Sequence, residues 1–178
     1  MPTGHHSGTV YIWYPHGGQV GHASMHIGAH TERNDTEWYV SWWPEGNSVF
    51  NEARSCNTLS GDWSGEGGVP HVVYKVYGGD IDVMKTVWDA SRNKPAAHYD
   101  MFKKNCSTLV ARILNAGGHK KDVAKWKRFT LAHQTIWTPA AVARYCNELR
   151  DAGVAEKTKA AGCPTKGKKW GYAVIGMR

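Results

Sequence analysis

NCSTLVARILNAGG, Asn105 to Gly118, decides how the rest of this chain is read. Asparagine is a good helix cap, Leu109, Val110, Ile113 and Leu114 recur at helical spacing, and Gly117-Gly118 form a stop signal. The spacing predicts an amphipathic helix whose first turn carries Cys106. Lys103 and Lys104 precede it and are expected to add positive charge nearby. A thiol there meets unpaired backbone N–H groups and the positive end of the helix dipole. Both favour the thiolate, which is the nucleophilic form. The same N–H groups can hold an oxyanion when a thiolate attacks a carbonyl. The plainer alternative is a small buried residue opening a helix, since free cysteine is often core.

A thiolate enzyme also needs a base that takes and returns a proton. GHASMHIG, Gly21 to Gly28, alternates as a strand does, with Ala23, Met25 and Ile27 on one face and His22, Ser24 and His26 on the other. His22, flanked by small residues, is the candidate base, and His26 is its rival. His5, His6, His16, His30 and His119 fall in loops and look ordinary. A third group should orient the imidazole. Asp62 in LSGDWSG is the first choice, Ser41 could serve as a neutral acceptor, and Glu45 is a further option. A turn-forming aspartate before Trp63 is the plain alternative for Asp62. His22 and His26 on one strand face could bind zinc, but no third ligand is near and no HExxH helix exists. No metal or cofactor is expected.

Outward from these motifs, the first half reads as strands and the second as helices. GTVYIWYP, GHASMHIGA, EWYVSWWP and PHVVYKVYG are strand-like, the second and third pairing as a hairpin. Residues 47–69, polar and glycine-rich, read as one long loop. GDIDVMKTVWDASRN is a helix capped by Asp80 or Asp82 and ended by Pro95. WTPAAVARYCNELRDAG is a helix capped by Thr138 with Pro139 in its first turn. Cys146 lies in that helix's apolar stripe and reads as a structural thiol. From Glu156 the chain is lysine-rich, either a solvated arm or a terminal strand, KWGYAVIGM. The expectation is one α+β domain over residues 1–178, with a core at about 8–150 and a basic C-terminal segment, 151–178.

The 178 residues include nine tryptophans, twenty glycines and four cysteines, with a net charge of +7. Cys56, Cys106, Cys146 and Cys163 form no CxxC pair, which argues against a zinc knuckle and for free thiols. No run of apolar residues is long enough to span a membrane. The N-terminus MPTGHHSGTVYIWYP lacks a basic region followed by an apolar stretch, so no secretory signal is expected. The chain is expected to be made in the cytoplasm and exported, if at all, by a specialised secretion system. The positive charge suits anionic partners such as cell-wall polymer, lipid headgroups or nucleic acid.

A glycine-histidine strand followed by YVSWWP and, later, by an asparagine-cysteine helix start resembles the circularly permuted papain-like superfamily. That group includes permuted NlpC-type amidases and lecithin:retinol acyltransferase-like proteins. His22 precedes Cys106, as in the permuted branch. GGDIDVMKTVWDASRNKPAAHYDMFKKNCSTLVARILNAGG and IWTPAAVARYCNELR look like cysteine-hydrolase domains of type VI secretion effectors and related toxins. The resemblance implies a helix bearing Cys106 packed on an antiparallel sheet bearing His22. It also implies amide hydrolysis or acyl transfer through a thioester.

The leading expectation is therefore a hydrolase acting on peptidoglycan peptides in a target cell, with an immunity protein and a secretion carrier as partners. A sister expectation keeps the same dyad in an acyltransferase, protease or deamidase with a protein target. A different class, a non-catalytic basic module, rests on KTKAAGCPTKGKKWGYAVIGMR and HKKDVAKWKRF, which mix lysines with aromatics. No nucleic-acid-binding motif accompanies them, so no nucleic-acid partner is expected.

Overall fold

β1 (His6–Trp13) lies at the centre of an antiparallel sheet, and both of its faces are buried. The computed structural model describes residues 2, 4–30, 32–46, 52–54, 58–94, 97–100, 103–124 and 134–164. In chain order β1 is followed by β2 (His22–Ile27), β3 (Tyr39–Val40), β4 (Trp43–Pro44) and β5 (Ala53–Arg54). Then come α1 (Leu59–Gly65), β6 (Val72–Tyr77), α2 (Ile81–Arg92), α3 (Cys106–Ala116), a 3₁₀ turn (His119–Lys121), α4 (Pro139–Asp151) and β7 (Ala155–Lys159). The main sheet runs β3-β2-β1-β6-β7, and β4 pairs with β5 apart from it. The result is mixed α+β with an antiparallel sheet.

Strand alternation sorts the side chains of β1 and β2 between two cores. Val10, Ile12, Ala23, Met25 and Ile27 face the helices, where Leu109, Val110, Ile113 and Leu114 of α3 and Val142, Tyr145 and Leu149 of α4 close over them. Burying each of these larger side chains contributes about 1.5–3 kcal/mol, so this layer dominates the stability. Tyr11, Trp13 and Tyr39 face the other way, onto Leu59 and Trp63 of α1. His22, Ser24 and His26 share that second face, and each is buried.

Local chemistry sets the elements that carry the site. Asn105 caps α3 by accepting from Thr108 N–H at 2.8 Å, and its amide donates to the Trp137 carbonyl at 2.9 Å. The start of α3 is thereby tied to the start of α4. Asp80, not Asp82, caps α2, and Thr138 caps α4. Gly21 enters β2 at φ +82°, and a Cβ there would lie 2.6 Å from the Trp13 carbonyl oxygen. Only glycine fits both constraints, and the turn it makes delivers His22 to the first position of the strand.

Two expectations change. Residues 47–69 are not one loop: β5 and α1 lie within them. LSGDWSG has two glycines and no strong helix former besides Leu59, so its propensity is low. α1 forms because Thr58 caps it, accepting from Gly61 N–H at 3.0 Å, and because it buries Leu59 and Asp62. The basic segment also begins as a strand. β7 pairs with β6 from Val72↔Lys159 to Val76↔Ala155. Its Glu156, Lys157 and Lys159 suit a sheet edge, where charge discourages further pairing. The KWGYAVIGM segment and Cys56 lie outside the described residues, as does most of the VAKWKRF link.

Candidate active site

Cys106 opens α3 and His22 opens β2, and the two side chains lie close enough for each to shift the titration of the other. Both are buried, Cys106 being 7% exposed and His22 2%. His22 Nε2 lies 3.1 Å from Asp62 Oδ2 and 3.2 Å from Ser41 Oγ. With Nε2 committed to those oxygens, Nδ1 is the nitrogen left for sulfur. Asp62 approaches from α1, which packs on the sheet face opposite α3.

The carboxylate of Asp62 is saturated with donors. Ser41 Oγ donates to Oδ1 at 2.8 Å, Trp43 Nε1 donates to the same oxygen at 2.9 Å, and the Tyr39 hydroxyl donates to Oδ2. Ser24 Oγ in turn lies 2.7 Å from the Tyr39 hydroxyl. Trp43 also lies flat against His22, ring centroids 4.5 Å apart at 20°. Stacking and hydrogen bonding together fix the imidazole in one orientation.

The charges follow from these contacts. Burial opposes the Asp62 carboxylate, but the His22 charge and the donors reverse that and hold it well below the usual carboxylate range. Burial likewise opposes the His22 imidazolium, and Asp62 and Cys106 together overcome it, raising His22 well above its ordinary value. For Cys106 burial disfavours the thiolate. The His22 charge and hydrogen bond, with the Ala23 backbone N–H and the Ser107 hydroxyl, win and lower it. The two groups titrate as a pair, and the arrangement favours thiolate facing imidazolium.

Lys103 and Lys104 do not supply this positive charge as their position in the sequence suggested. Lys104 Nζ lies over the Trp42 ring, 5.5 Å from its centroid, and Lys103 is exposed. Cys146 shows the contrast: buried in apolar surroundings, its thiol is pushed up to about 12. Iodoacetamide at neutral pH is therefore expected to label Cys106 about a hundredfold faster than Cys146. Equal rates, read by mass spectrometry of tryptic peptides, would rule out an activated Cys106.

The structure thus brings together Cys106, His22, Asp62 and Ser41. It does not bring in His26, which sits about 13 Å further along β2. There Nδ1 lies 3.0 Å from the Tyr11 hydroxyl, and burial lowers the ring to about 4. Glu45 is exposed in the turn after β4. His6 opens β1 rather than lying in a loop. His119 is fully buried in the 3₁₀ turn, its Nε2 3.1 Å from Ser7 Oγ. Tyr39, Trp43 and Ser24 join the site beyond the residues expected from the sequence. A period-2 signal for the first two was present in YVSWW, where Tyr39, Ser41 and Trp43 alternate with the core residues Val40 and Trp42.

A mixed α+β domain with a buried thiol beside an imidazole that is paired to a carboxylate is the class that fold and site define. The family model described as the IcsB middle domain matches residues 3–64 and 66–166, and the chain belongs to that family. Parts of the chain are also similar to two multifunctional-autoprocessing repeats-in-toxin proteins. The Vibrio vulnificus protein is 33% identical over 73 residues, which is 41% of this chain and 1% of the relative. The protein of Vibrio cholerae serotype O1 is 34% identical over 74 residues, 41% of this chain and 2% of the relative. The chain thus corresponds to a small part of very large relatives. No helix among the described residues is long and apolar enough to cross a membrane.

Proposed function

We propose that this chain is a cysteine-dependent acyl-transfer domain of a secreted toxin or effector, built as a permuted papain-like fold. The observation that carries the reading is the Cys106–His22–Asp62 series, with the thiol lowered and the imidazole raised. Cys106 as thiolate attacks a substrate carbonyl carbon, and N–H groups at the start of α3 receive the oxyanion. His22 passes its proton to the leaving group as the carbonyl–leaving-group bond breaks, and a thioester remains on Cys106. The acceptor then loses its proton to His22 as it attacks the thioester, and Cys106 leaves as thiolate. Asp62 holds the ring and offsets its charge throughout. The family and the toxin names of the relatives support the effector role.

Water as acceptor makes the domain an amidase, with peptidoglycan peptides as one substrate class. A protein amine as acceptor makes it an acyltransferase acting on lysines. Burial of the thiol, imidazole and carboxylate favours the amine, because a dry site protects a thioester from hydrolysis. Two parallel incubations separate the outcomes by mass spectrometry, one with purified sacculi and one with a soluble protein extract plus a fatty acyl thioester. New acyl mass on lysines, dependent on Cys106, is expected. Cys106-dependent muropeptide fragments without lysine acylation would establish the amidase instead, and neither product would remove the acyl-transfer reading.

A further inference from the structure

Glu66 follows α1 directly, one turn after Asp62, so both carboxyls lie on the same side of that short helix. Glu66 is 2% exposed, yet its Oε2 has no hydrogen-bond partner. The two carboxyls differ completely in their surroundings. Asp62 has four donors and is ionised. Burial pushes the Glu66 carboxyl up, the nearby Asp62 charge adds to this, and His22 and His16 only partly oppose it. Glu66 stands one helical turn from Asp62, whose Oδ2 is 3.1 Å from His22 Nε2. The backbone holds Glu66 firmly: its N–H donates to the Asp62 carbonyl at 2.9 Å, and its own carbonyl lies 3.0 Å from His16 Nε2.

A buried carboxyl oxygen left without a donor costs stability, on the order of 1–3 kcal/mol, unless something supplies one. His22 Nε2 does not, since it lies against Asp62 and Ser41. We propose that Glu66 is a substrate-contacting residue of the Cys106 site, its free Oε2 receiving a protonated nitrogen carried by the substrate. This rests on Cys106 being the reacting thiol. The unpartnered Oε2 calls for a hydrogen-bond donor, and the buried carboxyl for a positive charge. An ammonium group meets both needs and a neutral donor only the first, which selects cationic over neutral groups.

The test compares two alkylating agents that react at the same sulfur. 2-Bromoethylammonium loses bromide and iodoacetamide loses iodide as the thiolate forms a thioether with each. The ratio of their rate constants cancels any change in the thiolate fraction. In the folded protein the ratio at Cys106 is expected to exceed that of the urea-unfolded chain by about tenfold. In Glu66→Gln it is expected to fall to the unfolded value, with circular dichroism reporting the intact fold. A folded ratio equal to the unfolded one, or one unchanged in Glu66→Gln, overturns the proposal. A second measurement needs neither the thiol nor a variant that folds well. The Glu66 side-chain carboxyl ¹³C resonance of the native chain should move on adding n-butylammonium chloride and not on adding n-butanol. No movement, or equal movement with both, overturns the proposal as well. If both reagents label Cys106 as slowly as Cys146, the acyl-transfer reading falls, while the carboxyl resonance still decides Glu66.

Discussion

Cys106→Ala is expected to lower acyl transfer by about four orders of magnitude or more, because no other group on the site can form the thioester. The substitution leaves the cap of α3 untouched, since Asn105 and Thr108 make it without the thiol. Alanine is also the best helix former, so the melting temperature should stay within a few degrees, about the cost of removing one small buried group. His22→Asn should be nearly as inactive while keeping a donor for Asp62. His22→Ala is a poorer choice. It leaves a buried carboxylate without its counter-charge, at a cost of about 3–5 kcal/mol, and so confuses lost function with lost fold. Retention of a tenth of the activity in Cys106→Ala protein of native melting temperature would show that the sulfur is not the nucleophile.

Asp62→Asn is expected to lower turnover by about two to four orders of magnitude, because the imidazole loses both its anchor and the charge that stabilises its protonated form. Glu45→Gln should change little. The pH dependence gives a sharper check. In the native chain the raised His22 keeps its proton at neutral pH, and the lowered Cys106 loses its own below the ordinary thiol value of 9.0. Thiolate therefore appears as the pH rises through the lowered Cys106 value and faces a charged ring. Removing Asp62 takes away the main contact that raises His22, so the ring discharges at lower pH and the thiolate loses its partner. The pH profile of Cys106 labelling by iodoacetamide should then move upward by about one unit or more. An unmoved profile would mean that Asp62 only shapes the fold. The same carboxylate makes the fold acid-sensitive. Its folded value is depressed below the 3.8 of the free group, so its contribution is complete above that value and fades as pH falls toward the folded one.

Much of the arrangement was legible where its determinants are local. The α3 helix follows from the Asn105 cap, the Leu109–Leu114 stripe and the glycine stop, and the shared face of His22, Ser24 and His26 follows from strand alternation. These patterns act over a few residues and survive without knowledge of the rest of the chain. Lys103 and Lys104 misled for the opposite reason. Adjacency in sequence does not set where a long side chain points, and Lys104 lies along Trp42 instead. The helix over 59–65 was not legible because the glycines and serines of LSGDWSG carry no periodic apolar stripe.

The chain's sequence by itself determined that one cysteine opens an amphipathic helix, that a histidine stands on an alternating strand before it, and that Asp62 was the first acidic choice for a third group. Tertiary structure alone decided that β2 and the start of α3 meet at His22 and Cys106. It also decided that α1 swings Asp62 and Glu66 onto the opposite side of the sheet, and that Tyr39, Ser41 and Trp43 converge on one carboxylate. Those decisions depend on pairings between residues tens of positions apart. Sheet register and the burial of charge set them, and neither is encoded in any short window of sequence.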